Sequence, residues 1–159
     1  MNRSLLLLCK IENGQFADTR SVCLNDILTH YLDDYKEVYA YRNITVTVTT
    51  DSSFCVEMND SLVSVLVTNL LKNSFVHNID GGFIYIKITA NTFEISNTGE
   101  KPLDRERIFE RFYQGQKKEG STGLGLALVD SICKANHLKI DYTYVENRHI
   151  FTISKQNSE

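Results

Sequence analysis

The chain has no tryptophan and a single proline, Pro102, and neither scarcity decides anything. Other absences exclude more. No apolar run is longer than Leu5–Cys9, far short of the roughly 20 residues a membrane helix needs. No series of basic, apolar and small residues marks a secretory leader, so none is expected. The formal net charge is -3, which offers no basic surplus to a nucleic acid. The four cysteines, Cys9, Cys23, Cys55 and Cys133, are widely scattered, with no CxxC and no Cys/His cluster. That pattern argues against zinc and for reduced thiols in a cytoplasmic protein. There is no internal repeat and no low-complexity tract. What remains is 159 residues, 42% hydrophobic and 23% charged, the composition of a soluble globular chain. That length gives one domain with a real core and room for an attached fragment.

Taken in order, residues 2–13 (NRSLLLLCKIEN) predict a helix that Gly14 stops. Its leucine run is too apolar for a solitary surface helix and is expected to pack against something outside the chain. Residues 15–22 read as a linker. Ile27, Leu28, Tyr31, Leu32, Tyr35 and Val38 follow helical spacing within 25–41, with Asn25 or Asp26 as cap. Ile44–Thr49 alternates with period two and predicts a strand, with 54–57 as a short partner. A long helix is expected over 59–77, capped by Asn59 or Asp60. Strands follow over 83–89 and 92–96, and again over 139–145 and 150–154. Helices and strands do not alternate strictly, which indicates an α+β layer of helices on a mixed sheet.

The chemistry-bearing stretches lie between these elements. In Glu119–Asn136, Gly120, Gly123 and Gly125 let the backbone take positive φ and lie close to a ligand. An apolar helix begins there, with Leu124, Leu128, Val129 and Ile132 at helical spacing. Unpaired N–H groups at a helix start, with the dipole behind them, favour an anion, above all a phosphate. Equally, the stretch fits a tight loop-to-helix junction. On the long helix Asn69, Asn73, Val76 and His77 share one face with Leu62 and Leu66. An amide oxygen there suits magnesium, although buried amides are commonly satisfied by backbone or water. Asn97, at a strand end before Thr98 and Gly99, can accept and donate as a purine edge requires, and these are also turn residues. The polar stretch after Gly99 is too long for a plain connection and reads as a lid or binding loop. Ile108, Phe109, Phe112 and Tyr113 are the apolar groups available to hold it.

Together, LVTNLLKNSFVHN, ISNTG, IFERFYQG and GSTGLGLALV resemble the N, G1, F and G2 boxes of bacterial sensor histidine kinases. Their order and spacing match that family's catalytic ATP-binding (HATPase_c) domain, part of the GHKL superfamily shared with DNA gyrase and heat-shock chaperone ATPases. The resemblance covers residues 20–155. It implies a Bergerat-type two-layer α/β sandwich. Its mixed, mostly antiparallel sheet has about five strands, covered on one face by about three helices. Residues 1–14 are similar to the end of the dimerisation and phosphoacceptor helix, with 15–22 as linker. The catalytic domain is then 23–155, its lid is at about 100–121, and 156–159 form a tail.

The resemblance assigns roles residue by residue. Asn73 matches the magnesium-binding amide, and Asn69 the earlier asparagine near the phosphates. Asn97 stands where the family usually has an aspartate reading the adenine amino group, and Gly99 keeps the strand end open to adenine. Val76 replaces a phosphate-contacting lysine, leaving Arg111, Lys117 or Lys118 to compensate. Ser121 replaces the first glycine of GxGxG, with Gly120 just before it. His77, Phe109, Phe112, Thr122, Gly123, Leu124, Gly125 and Leu126 complete the implied nucleotide site, with Asn69 and Arg111 as catalytic candidates.

The implied function is transfer of the ATP γ-phosphate, with Mg2+, to a histidine on a separate helical domain, and onward to a response regulator. None of His30, His77, His137 or His149 stands in an H box, so the chain is expected to bind ATP without carrying its own acceptor. The resemblance implies a cytoplasmic fragment of a homodimeric kinase, and leaves open both a monomeric state for the fragment and an inner-membrane anchor for the parent. Two alternatives stay open. One is a non-catalytic nucleotide sensor. The other is an ATP hydrolase, disfavoured because an amide at Asn69 is a poor general base.

Overall fold

The computed structural model describes residues 3–113 and 123–156. Lys117, Lys118, Gly120, Ser121 and Thr122, all named above, lie outside them. The described elements are α1 (Arg3–Glu12), β1 (Arg20–Cys23), α2 (Leu24–Val38), a 3-10 turn at Ala40–Arg42, β2 (Thr45–Thr50), β3 (Cys55–Met58) and α3 (Asp60–Val76). They continue with β4 (Phe83–Ile88), β5 (Thr92–Thr98), α4 (Gly125–Ala135), β6 (Leu138–Val145) and β7 (Arg148–Lys155).

Five strands form the main sheet in the order β2-β4-β5-β7-β6. The β2–β4 pair is parallel and the other pairs are antiparallel. The mixed, mostly antiparallel sheet implied by the resemblance is therefore present. Strand alternation decides which face is covered. On β4, Ile84, Ile86 and Ile88 are buried while Phe83, Tyr85 and Lys87 point outward. Phe93 and Ile95 of β5 and Phe151 and Ile153 of β7 extend the same buried face. A strand with period-two burial needs a cover on one side only.

α3 lies at the centre of that cover. Leu62, Val63, Leu66, Val67, Leu70, Leu71 and Phe75 are all buried, so the helix is apolar around most of its circumference. It packs against α2, α4 and β5. Asn59 caps it, its Oδ1 accepting from Ser61 N at 3.0 Å and Leu62 N at 3.4 Å. The cap places Asp60 in the first turn, where the dipole favours a negative charge.

Several expectations need correction. The linker contains β1, which pairs antiparallel with β3 in a separate two-stranded sheet. β3 therefore partners β1 and not β2. That register sets Cys23 opposite Cys55, and the two sulfurs form a disulfide. The expectation of four reduced thiols fails because strand pairing joins cysteines 32 residues apart. Cys9 and Cys133 remain free thiols, and burial pushes that of Cys133 up to about 12. The leucine run of α1 finds part of its partner inside the chain. Leu8 and Ile11 are buried, and the helix packs on α4. α4 itself starts at Gly125, within the stretch where an apolar helix was expected.

Candidate functional site

The site is built along α3. Asn69, Asn73 and His77 are one turn apart on the side of the helix that the core leaves partly open. Asn69 Nδ2 donates to Val65 O at 2.7 Å, which turns its Oδ1 outward. A Cβ placed on Gly125 would lie 3.0 Å from that Oδ1. The first residue of α4 thus abuts the α3 amide, and the positive end of the α4 dipole lies beside Asn69. Asn73 is half-buried in the middle of the line, and its amide oxygen is a chemically suitable oxygen donor for a hard cation.

Gly123 joins the segment 103–113 to this helix start. Its φ is +77°, and an added Cβ would stand 2.7 Å from the Cα of Phe112. Phe112 N donates to Gly123 O at 2.8 Å. Only a residue without a side chain allows two backbones this close, so the glycine is required by contact as well as by φ. The same segment is held elsewhere too. Ile108 is buried in the core, Phe109 meets Phe151 edge-on with ring centroids 6.5 Å apart, and Leu103 N donates to Tyr142 Oη at 2.9 Å. Phe112, by contrast, is 60% exposed.

At the far end of α3 a cavity of about 290 Å³ opens between the helix C-terminus and the ends of β5 and β7. His77, Asn78, Ile79, Gly99, Leu103 and His149 line it. Asn97 is buried and is not one of the lining residues, but it is bonded to the backbone of His77, which is. Its Nδ2 donates to His77 O at 3.3 Å and to Thr98 O at 3.0 Å. With both amide hydrogens engaged, Oδ1 is the group left to offer, and it can only accept. Asn97 then presents to a ligand what an aspartate would present, without the charge.

Three candidates are placed differently from their implied roles. Arg111 forms an ion pair with Glu12 of α1, and lines a groove with Phe109, Ala127 and Asp130 in place of the α3 line. The Leu124 side chain is fully buried, so only its backbone can face a ligand. The space a Cβ would need at Gly99 is taken by the His149 ring, whose Nε2 would be 2.2 Å away. That glycine makes room for a histidine. Leu126 is half-buried against the core. Gly120 and Thr122 lie outside the described residues.

Residues 58–157 match the family model described as histidine kinase-, DNA gyrase B-, and HSP90-like ATPase. The chain belongs to that family. Among curated relatives, the heme sensor protein HssS of Staphylococcus aureus is 32% identical over 99% of this chain and 36% of its own length. The sensor histidine kinase RppB of Synechocystis is 32% identical over 80% of this chain and 31% of its own length. The chain thus spans about a third of each of these relatives. The cytoplasmic segment of histidine kinase QseC superposes with a TM-score of 0.74 at 18% identity, covering 98% of this chain and 93% of that one. The chain is therefore an ATP-binding catalytic domain of the histidine-kinase type. No helix among the described residues is long and apolar enough to cross a membrane.

Two groups at the site were not found from sequence. His149 stands in an alternating strand with no motif around it. Arg42 lies in a turn, and nothing local signals that its guanidinium reaches the end of α3.

Proposed function

We propose that the domain holds Mg-ATP along α3 and donates the γ-phosphate to a histidine on a separate helical domain, from which a response regulator receives it. The observation that carries the reading is the Asn69–Asn73–His77 line, with an acceptor-only Asn97 near one end and the α4 start at the other. Base, metal and phosphates need those chemistries in that order. Asn97 Oδ1 receives the adenine amino group, and His77 flanks the base. Asn73, with Asn69 beside it, holds Mg2+, which neutralises phosphate charge. The backbone N–H groups at Gly123–Gly125 take phosphate oxygens. Phosphoryl transfer needs mostly positioning and charge neutralisation, which this set supplies without a titrating base. Asn69 stands where a hydrolase needs a general base, so water is not activated.

A homologue gives the regulator step its support. A structure of ThkA in complex with the response regulator protein TrrA superposes with a TM-score of 0.70 at 20% identity, over 97% of this chain and 47% of that one. The kinase reading is tested by incubating the chain with γ-labelled ATP and a separately supplied phosphoacceptor domain. Acid-labile label on the acceptor, none on this chain and no steady phosphate release are expected. ATP binding without transfer to any acceptor would favour a nucleotide sensor instead.

A further inference from the structure

His149 is buried, aromatic and next to the base cavity, yet no step above uses it. β5 and β7 pair so that Asn97 and His149 are directly opposite. Cross-strand partners point to the same face, so both side chains lie on the helix-covered side of the sheet. The imidazole is packed between Tyr142 and Tyr144, at centroid distances of 5.8 and 5.1 Å. Its Nδ1 is 2.7 Å from Tyr142 Oη. That same oxygen accepts from Leu103 N at 2.9 Å. The Tyr142 hydroxyl proton is therefore free to be donated to Nδ1, and in that tautomer the hydrogen of a neutral ring is on Nε2. Burial lowers the pKa of His149, consistent with a neutral ring. Nε2 has no hydrogen-bond partner among the described residues and fills the space beside Gly99, where both residues line the cavity.

We propose that His149 is a base-contacting, specificity-determining residue, donating Nε2–H to an adenine ring nitrogen next to the amino group that Asn97 Oδ1 receives. The inference rests on the ATP reading above. The chemistry of the pair is selective. Adenine offers a donor, its amino group, flanked by the acceptors N1 and N7. An acceptor on β5 beside a donor on β7 matches a donor beside an acceptor on the base. Guanine carries an acceptor oxygen in place of the amino group, which would face Asn97 Oδ1 unpaired, and unpaired buried acceptors are costly. Gly99 belongs to the same device, because any side chain there would displace the ring.

The test is calorimetry of the intact chain and of His149→Phe with ADP, GDP, 1-deaza-ADP and 7-deaza-ADP. Phe keeps the ring between the two tyrosines and removes the donor. ADP affinity of the variant is expected to fall roughly tenfold, the scale of one buried hydrogen bond, with GDP unchanged. One deaza analogue should lose the same factor on the native chain and nothing further on the variant, as coupled partners do. Nitrogen-15 NMR of the His149 ring in the native chain is a second readout, independent of whether the variant folds. It should show an Nε2–H tautomer whose Nε2 resonance moves on adding ADP. Unchanged ADP affinity in His149→Phe, equal binding of both deaza analogues and ADP, or an Nδ1–H tautomer would overturn the proposal. A native chain that fails to bind ADP at all would refute the ATP reading, and this proposal with it.

Discussion

Replacing Arg42 with methionine tests how the base end of the site is held. Arg42 lies in the turn before β2, yet its guanidinium closes the C-terminus of α3. Nη1 donates to the carbonyls of Phe75 and Val76, Nη2 to Asn78 O at 2.7 Å, and Nε to Asp80 Oδ1 at 2.9 Å. The side chain is 13% exposed, so solvent screens these contacts little. A helix leaves its last carbonyls unpaired and carries partial negative charge there, and one cation meets both needs. Arg42→Met keeps much of the aliphatic stem and removes every donor. A hydrogen bond to a charged group is worth about 1.5–3 kcal/mol. These bonds share one guanidinium, and the carbonyls border a cavity that water can enter, so they do not add. The net loss should be about 2–4 kcal/mol. In a domain of this size that lowers the melting temperature by roughly 5–12 °C. Arg42→Lys should recover little, because a compact ammonium lacks the planar fork that spans the Phe75, Val76 and Asn78 carbonyls and Asp80 together. His77 and Asn78 sit at that helix end, so ADP affinity should fall as well. Urea unfolding gives the first quantity and calorimetry the second. A variant within about 0.5 kcal/mol of the native chain would show that water caps α3 equally well, and the reasoning would be wrong.

Asn73→Ala should leave the fold intact and weaken magnesium-dependent ATP binding at least tenfold, roughly the worth of one charge-assisted contact; calorimetry with and without Mg2+ separates the metal from the base. Breaking the Cys23–Cys55 disulfide, by reductant or by the double serine variant, should cost about 3–4 kcal/mol, since it closes a loop of 32 residues; unfolding midpoints under oxidising and reducing conditions measure it. Burial holds the His149 pKa below its ordinary value of 6.5. The unfolded chain therefore takes up a proton that the folded chain refuses. Stability is full above about pH 6.5 and falls as pH drops below it, until the folded pKa is reached. Thermal unfolding across pH 5–8 should show this slope, and His149→Phe should lose that component. Tyr142 and Tyr144 pack on the ring, and Arg42, Asp80, Glu100 and Lys101 share its cavity, so they set the background against which it is read.

Much of this protein is written locally. The period-two alternation of 44–49 predicted a strand, and β2 forms over Thr45–Thr50. Asn59 or Asp60 announced the start of α3, since a capping side chain acts within three residues of itself, and Asn59 is the cap. Asn69, Asn73 and His77 were assigned to one helix face by spacing alone, and the requirement for glycine at 123 came from its place before an apolar helix. These features depend on neighbours in the chain, and a sequence displays neighbours. The tertiary structure decided everything that depends on pairing across distance. Four residues, Arg20–Cys23, become a strand only because β3 is there to pair with them, and that pairing alone makes Cys23 and Cys55 partners. Arg111 meets Glu12 because α1 folds back on α4, a contact across 99 residues. Arg42 reaches the end of α3, and His149 comes to face Gly99, through the order of strands in the sheet. Neither residue has a periodic or motif signature, because what gives each its role is a backbone carbonyl or an open space supplied by another element.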